Sequence, residues 1–89
     1  MILSAYSIID INPNEEYGIE NPIFRLHCLK TNEDDVKIET LNGEISNFPP
    51  GSFIAGALYD ILIKKMSFNK KKAGFKGYKF KSKPRILDI

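Results

Sequence analysis

The sequence predicts a mainly β fold, a small antiparallel barrel or curled sheet of about five strands. Apolar and polar residues alternate with a period of two from Ile23 to Lys30 and again from Val36 to Leu41, which is typical of half-buried strands. After these segments, the dipeptide Asn42-Gly43 favours a hairpin turn. Residues 75–83 alternate in the same way. An α+β fold remains open, because residues 53–66 also fit a helix.

The chain is predicted to form a single domain over residues 1–89. With 89 residues, 43% of them apolar, it is too short to divide into two pieces that each bury a core. A domain of this size gains stability from a closed or well-covered β-structure or from a partner subunit. A homodimer is therefore one expectation.

In chain order, the apolar first ten residues predict a strand, and the turn-rich stretch 12–18 predicts a loop. The alternating segments then predict a three-stranded meander from about residue 23 to about 48. A two-residue type I′ turn at Asn42-Gly43 would place Thr40 opposite Ile45. Ile45 would then share one face with Val36 and Ile38.

The motif Phe48-Pro-Pro-Gly-Ser52 ends the meander, because proline cannot donate a backbone hydrogen bond and Gly51 permits a sharp turn. Residues 53–66 fit two structures about equally well. As a helix they place one apolar stripe on one side, with Ser52 as the N-cap. As a strand they alternate through Tyr59, Ile61 and Ile63, with Gly56 as a bend or bulge.

Residues 75–83 predict a strand whose two faces differ. Tyr78 and Phe80 share one face, interpreted as the side that packs on the core. The other face then carries Phe75 together with Lys79, Lys81 and Lys83. Pro84 ends this ladder.

The residue types that support catalysis or metal binding are not arranged for either. His27 and Cys28 are the only histidine and cysteine, and neighbours on a strand point to opposite faces, so Cys28 is expected in the core. The acidic pair at 15–16 and the acidic triplet at 33–35 fall in predicted turns. Full exposure to solvent there does not give two carboxylates the different environments that acid–base catalysis needs. We therefore expect no enzyme, no cofactor and no metal site.

Charge is distributed unevenly along the chain. Residues 1–63 hold three basic and ten acidic groups, a net −7, whereas residues 64–89 hold ten basic groups and one acidic group, a net +9. Such asymmetry favours a polyanionic partner.

Basic residues interleaved with aromatic rings are typical of sites for single-stranded nucleic acid, because phosphates follow the positive charge while bases stack on the rings. The sequence predicts non-enzymatic binding of single-stranded DNA or RNA by nine residues: Lys70, Lys71, Lys72, Phe75, Lys76, Tyr78, Lys79, Lys81 and Lys83. In a competing interpretation, Tyr78 and Phe80 fill the core and the lysines only solvate an edge strand.

Pro50-Gly51 before an apolar segment, followed by Phe75 and Tyr78 among lysines, resembles the layout of OB-fold domains. In size and charge the chain is similar to small phage-type single-stranded DNA-binding proteins. The resemblance implies a five-stranded barrel and single-strand binding, and it covers most of the chain.

A second functional hypothesis is a small protein-binding module that acts as an inhibitor or adaptor. One form of this hypothesis is that the module is encoded by a phage. It would dock on a partner through the acidic loops 14–20 and 31–35 or through the basic tail. A structural subunit that forms homo-oligomers is a third. The single cysteine favours a reducing interior, the N-terminus has no basic segment of the signal-peptide type, and the longest uncharged stretch, residues 45–59, is too short and too broken to span a bilayer. Together these features predict a soluble cytoplasmic protein without a membrane partner.

Overall fold

The computed structural model describes residues 6–20 and 22–80, which form one antiparallel sheet of six strands in the order β1-β6-β2-β5-β3-β4. The described residues contain no helix, so the predicted mainly β class is confirmed. The strands are β1 (Tyr6–Asp10), β2 (Ile23–Lys30), β3 (Val36–Thr40), β4 (Ile45–Phe48), β5 (Leu58–Ser67) and β6 (Gly74–Phe80).

Residues 58–67 form strand β5, so the helical alternative for residues 53–66 is wrong, and the strand alternative is confirmed from Leu58 onward, while residues 53–57 lie in the preceding turn. Gly56 adopts a φ of +88° in the turn that precedes β5, a backbone conformation that residues with a Cβ rarely adopt. Ile63 is buried, and the half-buried Tyr59 and Ile61 pack against the same core. From Leu58 onward, the period of two and not the helical periodicity therefore describes the structure of this segment.

Strand β5 lies between β2 and β3, which makes the predicted three-stranded meander wrong. Its first half pairs with β2, from Leu58 opposite His27 to Ile63 opposite Ile23. Its second half pairs with β3, up to Ser67 opposite Lys37. Strand β5 is the longest strand of the described sheet, and its backbone amides and carbonyls need hydrogen-bond partners on both sides. Strands β2 and β3 supply these partners, so they pair with β5 and not with each other.

The sheet is open and does not close into the five-stranded barrel that the OB-fold resemblance implies. Strands β1 and β4 are the two edges of the described sheet and do not pair with each other. The loop after β1 lies along the second half of β5, where the amide of Asn14 donates to the Met66 carbonyl (2.7 Å) and that of Tyr17 to the Lys64 carbonyl (2.8 Å). This loop covers one side of the core with the buried Tyr17 ring.

The β3–β4 hairpin is present, but its turn has three residues and not two. The Gly43 amide donates to the Thr40 carbonyl, and Glu39 lies opposite Ile45. Only Gly43 of the predicted pair has a positive φ, +89°, which is the three-residue loop with a glycine bulge and not a type I′ turn. The one-residue difference in register moves Ile45 to the solvent side of the sheet, away from the buried Val36 and Ile38.

Asn32 is the buried polar residue that joins two loops at one end of the core. It is 2% exposed. Its Nδ2 group donates to the carbonyls of Asp34 (2.8 Å) and Pro49 (3.0 Å), and its Oδ1 accepts from the Phe53 amide (2.9 Å). These bonds tie the loop after β2 to the Pro-Pro-Gly turn and hold the buried Phe53 ring in place.

The core lies on one face of the sheet, and Gly77 on β6 is part of it. A Cβ at Gly77 would lie 2.5 Å from Cδ1 of Ile11 and 2.9 Å from Cδ1 of Ile23. We expect Gly77→Ala to lower the free energy of unfolding by about 1 to 3 kcal/mol, because the added methyl group overpacks this contact. Urea denaturation followed by circular dichroism measures the loss.

Gly74→Ala is the matched control for this substitution. It lies on the same strand, and a Cβ there would meet its nearest atom, Cβ of Leu29, at 3.7 Å, an ordinary contact. We expect its stability to stay within about 0.5 kcal/mol of the unsubstituted protein. Equal losses at Gly74 and Gly77 would show that the contacts with Ile11 and Ile23 do not decide the effect.

Candidate nucleic-acid interface

Strand β6 presents to the core the face that was predicted to be exposed. Phe75 is 3% exposed, and its ring centroid lies 5.4 Å from that of Phe53 and 5.1 Å from that of Phe68. The alternation along β6 is as predicted, but the assignment of the two faces is wrong. Phe75 therefore offers no ring surface to a ligand.

Tyr78 and Phe80 lie on the opposite face of the sheet, which we call the outer face. They meet Tyr6 of β1 and Phe24 of β2 there, and we call these four residues the outer ring cluster. Centroid distances are 5.3 Å from Tyr6 to Tyr78, 4.8 Å from Phe24 to Phe80 and 6.3 Å from Phe24 to Tyr78. Tyr6 and Phe80 are also directly opposite each other in the β1–β6 ladder.

A β-bulge in β2 places Phe24 in this cluster. The pairing of β2 with β6 shifts between Ile23, opposite Lys79, and Arg25, opposite Tyr78. The extra residue of a bulge re-aims its side chain, so Phe24 and Arg25 both lie beside Tyr78 on the outer face. Without the bulge, strict alternation would send one of them to the core.

Two rings of the cluster remain open to solvent. Tyr6 is 51% exposed and Phe80 is 40% exposed, while Phe24 and Tyr78 are half-buried between them. Nearby Ile8, opposite Tyr78 in the ladder, is also exposed. The outer faces of antiparallel sheets are usually polar, so a row of exposed aromatic and apolar side chains marks a candidate binding surface.

Two basic residues beside the cluster in the described part of the chain, Arg25 and Lys76, are paired with carboxylates. The Arg25 Nε donates to Asp60 Oδ1 at 2.6 Å, which raises the pKa of the guanidinium further, and the Arg25 Cζ lies 6.0 Å from the Tyr78 centroid. Lys76, on the outer face of β6, lies 3.8 Å from Asp10. Each of these two pairs offsets its own positive charge.

Unpaired positive charge lies at the other end of β6, in the turn Asn69–Lys72, which we call the lysine loop. The Lys72 amide donates to the Asn69 carbonyl (2.8 Å) and the Lys71 amide to Asn69 Oδ1 (2.9 Å), which fixes the turn. Lys72 and Lys30 share one carboxylate, that of Glu33, at 3.6 and 3.5 Å. Within residues 6–20 and 22–80, neither Lys70 nor Lys71 has a carboxylate within 4.0 Å.

The predicted site residues thus separate into five groups. Lys76 and Tyr78 lie on the outer face, and the lysine loop holds Lys70, Lys71 and Lys72. Lys79 is half-buried on the other face, opposite Ser7. Phe75 belongs to the core, and Lys81 and Lys83 lie outside the described residues.

Sequence reasoning missed Tyr6, Phe24 and Arg25, the partners of Tyr78 on the outer face. The apolar first strand signalled Tyr6, but its pairing with β6 spans most of the chain, and no local pattern reveals the bulge at Phe24. The competing interpretation made β6 an edge strand. Pairing with both β1 and β2 makes β6 an interior strand, so its lysines do not protect an edge.

His27 and Cys28 lie on opposite faces of β2, as predicted. Cys28 is fully buried, and this burial raises the pKa of its thiol, so the group stays protonated at neutral pH. In the part of the chain that the structure describes, no three His, Cys, Asp or Glu side chains are grouped to hold a metal ion. That part also lacks any helix long and apolar enough to cross a membrane.

Comparisons of the chain with protein-family models, with curated proteins and with solved structures gave no significant match.

Proposed function

We propose that the protein binds single-stranded DNA or RNA on the outer face of its sheet, with the outer ring cluster as the stacking surface and no catalytic step. The observation that carries the proposal is the row of four aromatic side chains across three neighbouring strands, two of them open to solvent. This shifts the site from the Phe75 face to the Tyr78 face of the same strand.

Aromatic side chains on a sheet surface stack with two or three bases in a common class of RNA-binding domain. Stacking suits single strands because paired bases do not expose their faces, and each stacked base contributes about 1 to 3 kcal/mol. Tyr6 and Phe80 have the exposed area to accept bases, and the Arg25 guanidinium lies 6.0 Å from the Tyr78 ring of the same cluster. The excess of lysine in residues 64–89 adds attraction for phosphates.

Fluorescence anisotropy with a labelled oligothymidylate at low salt tests the proposal. We expect Tyr6→Ala and Phe80→Ala each to weaken binding by about 5- to 150-fold, the loss of one stacked base. Ile54→Ala is the control, because Ile54 is equally exposed but lies in the loop before β5. Absence of binding at low ionic strength, or equal losses in all three variants, would refute the proposal.

A protein partner is the second candidate, and the aliphatic side chains of the outer face favour it. Leu58 and Leu62 on β5 are about half exposed, and they extend the apolar surface beyond the rings. A second copy of the chain is the simplest such partner. Sedimentation velocity over a concentration series would then show association, and Leu58→Ser with Leu62→Ser would abolish it without affecting oligonucleotide binding.

A further inference from the structure

We infer that the site is a track along the outer face of β6, with bases held at the ring end and phosphates at the lysine loop, long enough for about four to six nucleotides. The inference rests on the proposed function and specifies the length and layout of its ligand. It joins two features at opposite ends of one strand, the outer ring cluster and the lysine loop.

The outer positions of β6 are Gly74, Lys76, Tyr78 and Phe80, because the alternate residues Phe75 and Gly77 face the core. Read from one end to the other, they give two rings, one ammonium group and one position without a side chain. Gly74 is flanked by the Cβ atoms of Leu29 and Lys30, which would lie 3.7 and 3.8 Å from a Cβ placed on it. The outer face therefore has no side chain at Gly74, next to the lysine loop, and a phosphate backbone can approach the sheet there.

The lysine loop carries a net positive charge that the described residues do not cancel. Of its three lysines, only Lys72 pairs with a carboxylate in the described residues, that of Glu33, which Lys30 shares. Lys30 Nζ also donates to the Lys71 carbonyl at 2.9 Å, and Lys70 Nζ donates to Asn12 Oδ1 at 2.9 Å. These bonds hold the loop beside Gly74 and lower the cost of ordering its side chains on a ligand.

The length of the strand sets the length of the ligand. From Gly74 to Phe80 is six residue steps, or about 20 Å at roughly 3.3 Å per residue. A stacked nucleotide strand advances about 3.4 Å per nucleotide and an extended strand advances further, so about four to six nucleotides reach from the rings to the loop. This lies at the short end of single-strand sites in OB folds, about 4 to 16 nucleotides.

The test is an anisotropy series with labelled oligothymidylates of two to ten nucleotides at several salt concentrations. For the unsubstituted protein, affinity should rise steeply up to about six nucleotides and then level off. Lys70→Ala with Lys71→Ala should lower the slope of log affinity against log salt by about 1.4 for the long oligonucleotides, since each single-strand phosphate contact contributes about 0.7. It should leave the dinucleotide unaffected.

Lys37→Ala with Lys65→Ala is the matched control, because it removes the same charge from β3 and β5 and should not change the slope. If Tyr6→Ala and Phe80→Ala weaken binding while the loop variant leaves slope and length dependence unchanged, the track is wrong and the proposed function stands. If only the loop variant weakens binding, the loop is a general polyanion site, and both proposals fail. If no oligonucleotide binds, the proposed function itself fails.

Discussion

Phe75→Ala is expected to lower the free energy of unfolding by about 3 to 5 kcal/mol, the usual loss for a buried phenylalanine. The ring packs edge-to-face against both Phe53 and Phe68 and is almost inaccessible to solvent. Small domains unfold at a cost of only about 5 to 15 kcal/mol, so the variant should be marginally stable. Urea unfolding at low temperature, followed by circular dichroism, measures the difference.

Phe80→Ala is the control on the same strand, and its loss should stay below about 1 kcal/mol because the Phe80 ring is already partly in solvent. Phe75→Leu provides a milder variant if the alanine variant does not fold, with an expected loss of about 1 to 2 kcal/mol. A larger loss at Phe80 than at Phe75 would mean that the core lies on the other face of β6.

Asn32→Ala is expected to lower the free energy of unfolding by about 2 to 4 kcal/mol. The substitution leaves the buried Phe53 amide without its acceptor, and it frees the carbonyls of Asp34 and Pro49 from their common donor. A buried polar group without a partner costs about 1 to 3 kcal/mol, whereas a bond exchanged for water costs little. Thermal unfolding followed by circular dichroism should show a lower midpoint.

Asn47→Ala is the comparison for Asn32, because Asn47 is exposed and its only side-chain bond in the described residues is a 3.3 Å contact with Asp35. Its effect should stay within about 0.5 kcal/mol. Similar losses at the two positions would indicate that Asn32 is solvated and does not join the loops.

The alternation along β6 was predictable from the sequence, but the direction of its faces was not. Phe75 on one side and Tyr78 with Phe80 on the other make both faces apolar, so the pattern fits either orientation. Gly77 decides which face of β6 packs on the core, because its missing side chain leaves room for Ile11 and Ile23, which lie more than fifty positions earlier in the chain. Such a constraint is a property of the packed core.

The hairpin was predictable from Asn42-Gly43, but its register was not. A glycine with positive φ fits both the two-residue and the three-residue loop, and the choice between them decides whether Ile45 faces the core. The backbone bond from Gly43 to Thr40 selects the three-residue loop. A one-residue difference in the turn thus changed the predicted core.

Long-range pairings limited the rest of the prediction. Local periodicity identified β2, β3 and the strand form of β5, but it contains no information on which strands are neighbours in the sheet. Asn32, within a polar stretch, looked like an ordinary solvated loop residue, because its burial depends on the Pro-Pro-Gly turn 17 residues later. The outer ring cluster likewise depends on β1 meeting β6 and on the bulge in β2.

Tyrosine fluorescence tests most directly the claim that the outer face of β6 binds single strands. The chain has four tyrosines and no tryptophan, so its emission comes from tyrosine. Tyr6 and Tyr78 belong to the outer ring cluster, whereas Tyr17 and Tyr59 pack with the core. Titration with an oligothymidylate should quench the emission as bases stack on the cluster.

The variant with both Tyr6→Phe and Tyr78→Phe keeps the stacking rings and removes the reporters. We expect this variant to bind the oligonucleotide with nearly unchanged affinity, measured by anisotropy, while the quenching disappears. Equal quenching in the variant and the unsubstituted protein, or binding without any quenching in the unsubstituted protein, would contradict it. Either result would place the nucleic acid away from the outer ring cluster.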